Sequence, residues 1–103
     1  MSFNDFKNVL VSKYDEFRHD GENDVFANDT DRIVRKNVRS VLIKVYANTA
    51  DKSEDDAQKF LEQEITWAVE DRDDARGKEN PVKIAVTESN LALLLDFYEE
   101  LKK

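Results

Sequence analysis

The 103-residue chain holds no cysteine, two glycines, one proline and one histidine. Each shortage excludes something. Without cysteine there are no disulfides, no thiolate metal sites and no thiol nucleophile. A domain of this length reaches a core without such staples, so the absence points towards a reducing interior, and the expected location is the cytoplasm. Gly21, Gly77 and Pro81 are the whole supply of strong chain punctuators. The many tight turns of an all-β domain are then out of reach. Few turns mean long elements, which favours helices. His19 stands alone, so a histidine metal cluster or a serine–histidine–aspartate triad is ill supplied. Its expected place is a helix end, where a cation suits the dipole. Two distant glycines make no phosphate-cradling loop. The longest apolar runs, such as Leu91-Ala92-Leu93-Leu94-Leu95, fall far short of a membrane span. Met1-Ser2-Phe3-Asn4-Asp5 lacks the basic-then-apolar order of a signal peptide.

What is present is charge and periodicity. Charged residues make up 38% of the chain and apolar residues 40%. The charged share exceeds the ~25% of ordinary domains. Sixteen Lys and Arg against 23 Asp and Glu give a net charge of −7. Binding to a phosphate backbone needs an electropositive face. Arg32, Arg35, Lys36, Arg39 and Lys44 form the single basic stretch, with acidic neighbours throughout, so nucleic acid is not the expected partner.

Apolar residues recur at spacings of three and four in four stretches, the signature of amphipathic helices. The first runs from about Ser2 to His19 on Phe3, Phe6, Leu10, Tyr14 and Phe17, with Gly21 as its left-handed exit. The second runs from about Thr30 to Asn48 on Val34, Val38, Val41, Leu42, Val45 and Tyr46. Its β-branched residues alternate as well, so 40–46 also reads as a strand. The third runs from about Ser53 to Arg76 on Ala57, Phe60, Leu61, Ile65, Ala68 and Val69. Ser53 caps it and Gly77 stops it. Asn80-Pro81 then breaks the pattern, and Val82, Ile84 and Val86 alternate as a short strand or extended linker. The fourth helix is expected from Thr87 or Ser89 onwards, on Leu91, Leu94, Phe97, Tyr98 and Leu101. Four such helices hide their stripes together as one domain over 1–103, an all-α antiparallel four-helix bundle. The competing architecture is α+β, with strands near 40–46 and 82–86.

Two acidic clusters stand out. Asp20, Glu22, Asp24, Asp29 and Asp31 lie in a stretch without Lys or Arg between Arg18 and Arg32. Four of them occupy positions 1, 3, 5 and 12 of an EF-hand spacing, but Val25 stands where that loop needs glycine at position 6. Calcium is therefore not the expected ligand. Glu70, Asp71, Asp73 and Asp74 form the second cluster near the end of helix three. In an up-down bundle both clusters fall at one pole, where like charges cost stability unless a basic partner docks. Magnesium chemistry in helical bundles wants inward ExxE and ExxD pairs from two helices. Glu70-x-x-Asp73 fits one, whereas Glu62 and Glu64 are spaced by two on the same helix. Phe60 and Trp67, one heptad apart and to the side of the stripe, offer an aromatic contact face for a partner or a second copy of the chain.

No nucleophile, base or phosphate cradle is visible. The expected function is a non-catalytic protein–protein interaction or regulatory module without cofactor, metal or membrane partner. Immunity, inhibitor and adaptor proteins share its shape and charge, an analogy that carries no motif. The rival reading is a divalent-metal-binding protein or metal-dependent hydrolase working through the acidic clusters.

Overall fold

A computed structural model describes the backbone of residues 3–23 and 29–102, and the side chains of residues 3–16 and 29–102. Four helices follow one another: α1 (Phe3–Asn23), α2 (Asp29–Thr49), α3 (Glu54–Gly77) and α4 (Pro81–Lys102). The described residues contain no strand, so the α+β alternative falls and the all-α bundle stands. Short connections at 50–53 and 78–80 join α2 to α3 and α3 to α4, and the four helices pack together.

The stripes read from the sequence form the core. Phe6 and Leu10 of α1, Val38, Leu42 and Val45 of α2, Ala57, Leu61 and Ala68 of α3, and Leu91, Leu94, Phe97 and Leu101 of α4 are all buried. Each leucine or phenylalanine removed from water contributes about 1.5–3 kcal/mol. Phe6 meets Phe97 edge-on at 6.1 Å between ring centroids and stacks on Phe3 at 5.9 Å, two arrangements that suit the ring quadrupole. Thr49 is buried at the end of α2, where its hydroxyl donates to the Val45 carbonyl at 2.7 Å. That bond lets a polar side chain extend the apolar stripe by one turn.

Helix boundaries follow local chemistry. Ser53 caps α3, its Oγ accepting from the Asp56 amide at 3.2 Å, and Glu54, Asp55 and Asp56 fill the positive first turn. The expected stop at Gly77 is corrected. Gly77 is the last helical residue, and the residue with a positive φ (53°) is Glu79. Lys78 and Glu79 donate their amides back to Asp74 and Arg76, at 3.1 and 3.2 Å, which satisfies carbonyls at the helix end. The expected exit of α1 at Gly21 is corrected too, because the helix passes through Gly21 to Asn23.

The largest correction concerns 82–86. This segment is the opening of α4. Asn80 Oδ1 accepts from the amides of Val82 at 3.1 Å and Lys83 at 3.2 Å, and the Ile84 amide closes the first helical turn on the Asn80 carbonyl at 2.9 Å. Asn80 is an N-cap and Pro81 occupies the first helical position, where its missing N–H leaves nothing unsatisfied. α4 packs on all three other helices, whereas α1 and α3 hardly touch. A helix surrounded in this way needs apolar residues around much of its circumference. Leu93 is accordingly buried besides the expected stripe, and Ile84, Ala85 and Val86 are half-buried.

Candidate functional site

Among the described residues, five large apolar side chains stay exposed: Val11, Ile43, Tyr46, Trp67 and Leu95. They fall on two different grooves and one isolated position.

The first groove lies between α2, α3 and α4. Val41 and Lys44 line it from α2, Glu64, Trp67 and Asp71 from α3, and Thr87 and Asn90 from α4. Glu64, Trp67 and Asp71 are spaced i, i+3 and i+7, so one stripe of α3 presents a ring with a carboxylate one turn to either side. Trp67 is 48% exposed. Lys44 reaches across from α2, with its Nζ 3.0 and 3.1 Å from the two Glu64 carboxylate oxygens and 5.8 Å from the Trp67 ring centroid. The Glu64 side chain is 13% exposed, so this ion pair is better shielded than an ordinary surface bridge. Asn90 Oδ1 is shielded from solvent and meets no hydrogen-bond donor. Thr87 turns its hydroxyl away, onto the Lys83 carbonyl at 2.7 Å. The groove therefore joins an aromatic side chain and two carboxylates, with Asn90 in its lining.

The second groove, of about 290 Å³, lies between α1 and α2 and is lined by Val11, Tyr14, Ile43 and Tyr46. The sequence set Ile43 off the stripe but counted Tyr46 within it. Tyr46 is 47% exposed and sits on the edge of the buried face, one position past Val45.

The acidic residues are distributed as follows. Asp20, Glu22 and Asp24 lie outside the residues whose side chains are described. Asp29 and Asp31 stand in the first turn of α2, where negative charge suits the dipole. Asp29 approaches Arg32 at 4.0 Å while remaining 95% exposed, and Asp31 lines an open groove against Ser89 and Asp96 of α4. Glu70, Asp71, Asp73 and Asp74 lie towards the end of α3. Cations are interleaved there: Arg72 pairs with Asp73 at 3.3 Å, Lys78 with Asp74 at 3.0 Å, and Arg76 with Glu88 of α4 at 2.7 Å. Among the described residues, no three acidic or histidine side chains gather closely enough to hold a metal ion. Phe60 and Trp67 part company: Phe60 is half-buried and packs against the core, whereas Trp67 faces the groove. Sequence reasoning found Trp67 and Asp71 but missed Lys44, Glu64 and Asn90 as their neighbours, because those contacts join three helices.

No helix of the described residues is long and apolar enough to cross a membrane. No family model, curated protein or solved structure matches the chain.

Proposed function

We propose that the chain is a non-catalytic protein-interaction module of the cytoplasm that docks a basic protein and thereby restrains or adapts it. The observation that supports this reading is Trp67. An ordered helix holds this ring half in water between two carboxylates, on a chain with a net charge of −7. Leaving a large apolar side chain exposed forgoes part of the roughly 1.5–3 kcal/mol that full burial supplies. Tryptophan at the centre of a polar-rimmed depression is the usual composition of an interface hot spot. The carboxylates at the neighbouring end of the bundle would steer a basic partner and raise its association rate.

The test is capture from a lysate of the source organism, followed by cross-linking to map the contact. The expected result is a basic partner whose cross-links surround Trp67 and whose capture weakens in the Trp67→Ala variant and at raised salt. Undiminished capture by Trp67→Ala, or an acidic partner, would defeat the proposal. Sedimentation of the purified chain separates a second copy of itself from a foreign partner.

A further inference from the structure

We infer that the groove between α2, α3 and α4 is a receptor for one cationic side chain, a guanidinium or an ammonium, presented by a basic protein segment. This rests on the interaction-module reading and names its contact chemistry. Four observations converge on it.

The groove already holds a cation. Lys44 Nζ lies against the Glu64 carboxylate and over the Trp67 ring, so the pairing of carboxylate with ring face is filled from within the molecule. The remaining half is open. Asp71, on the other flank of Trp67, forms no ion pair among the described residues. Trp67 is half exposed, and indole is the ring that attracts cations most strongly. The fourth observation is Asn90. Its Oδ1 is shielded from solvent without a donor, a state that burial makes unfavourable. A guanidinium carries five N–H donors and an ammonium three. One of these donors supplies what Asn90 lacks once the amide turns towards it, while another engages Asp71.

Charge decides between ligand classes. Glu64 and Asp71 outnumber Lys44 in the lining, and the whole chain is acidic, so anions are repelled from this groove and cations drawn to it. Its volume of about 170 Å³ suits a single side chain and leaves no room for a packed helix. Lys44 then acts as an internal competitor: an incoming cation shares the Trp67 face with it or moves it aside.

Trp67 is the only tryptophan in the chain, which makes its fluorescence a reporter of this one groove. The probes are the peptide acetyl-Gly-Arg-Gly-amide and its neutral citrulline counterpart, titrated into the full chain at low salt. The arginine peptide is expected to give a saturable change with a Kd of about 1 mM, as one charge-assisted contact and one ring contact allow. The citrulline peptide should bind about tenfold more weakly or not at all. Asp71→Asn should weaken the arginine peptide by about tenfold. Lys44→Met should tighten it severalfold, because the competitor is gone and Glu64 is released. Unchanged melting curves would show that both variants remain folded. Equal responses to the two peptides, no effect of Asp71→Asn, or weaker binding by Lys44→Met would each overturn the inference. Should the peptides leave Trp67 unmoved while the chain still captures a basic protein through another face, the cation receptor fails and the interaction module survives. Should the arginine peptide bind as described while no protein is captured, the receptor stands and the wider reading fails.

Discussion

Replacing Gly77 with alanine tests the end of α3 by the sign of its effect. A glycine in the left-handed conformation resists alanine, because the added Cβ meets the following carbonyl at a cost of roughly 1–2 kcal/mol. Gly77 is instead helical, without a positive φ, and a Cβ built upon it finds nothing within 4 Å. Alanine there relieves the unfolded chain of glycine's extra freedom at no steric cost, a gain of about 0.4–1 kcal/mol. For a domain near 100 residues this raises the melting temperature by about 2–8 °C. The partner experiment is Glu79→Gly. Glu79 carries the positive φ of 53°, so glycine releases strain there and loses part of that gain to unfolded-state entropy, leaving roughly 0.5 kcal/mol of stabilisation. Thermal and urea unfolding followed by circular dichroism measure both, with the denaturant slope as a check that the unfolded state is unaltered. A Gly77→Ala variant that melts several degrees lower would refute this account of the turn and restore Gly77 as the left-handed stop.

Three further outcomes are expected. Asn80→Ala should destabilise the chain by about 1 kcal/mol, because the amides of Val82 and Lys83 lose their shared acceptor, while Asn80→Asp keeps it; equal stability of wild type and Asn80→Ala would deny that a helix begins there. Leu42→Ala, at a fully buried position, should cost about 2–5 kcal/mol, whereas Tyr46→Ala should stay within about 0.5 kcal/mol in urea unfolding; comparable losses would mean that Tyr46 belongs to the core. Ser53→Ala should cost about 0.5–2 kcal/mol through the loss of the bond from the Asp56 amide, read from the same melts.

The fold was legible wherever a helix buries one side only. Phe6 and Leu10, Val38, Leu42 and Val45, and Ala57, Leu61 and Ala68 were all placed inwards by spacing, and all are buried. Legibility failed at the start of α4 for a physical reason. A helix with neighbours on several sides spreads its apolar residues around the axis. Val82, Ile84 and Val86 then alternate by coincidence, and a strand reading is natural. Asn80-Pro81 completed the error, since the pair that caps and opens a helix is the same pair that breaks one. At the candidate site, heptad spacing singled out Trp67 and charge clustering singled out Asp71, without joining the two. Neither gave a sign of Lys44 or Asn90, which arrive through the packing of two other helices.

The pivotal helix is the last of the four to be synthesised. Until residues 81–102 have left the ribosome tunnel, α3 lacks the helix it packs against most extensively, and α1 has α2 alone for company. A nascent chain carrying only the first three helices thus leaves uncovered the apolar surface that α4 later meets. The arrival of Leu91, Leu94 and Phe97 covers it, so closure of the bundle waits on its final segment rather than proceeding helix by helix.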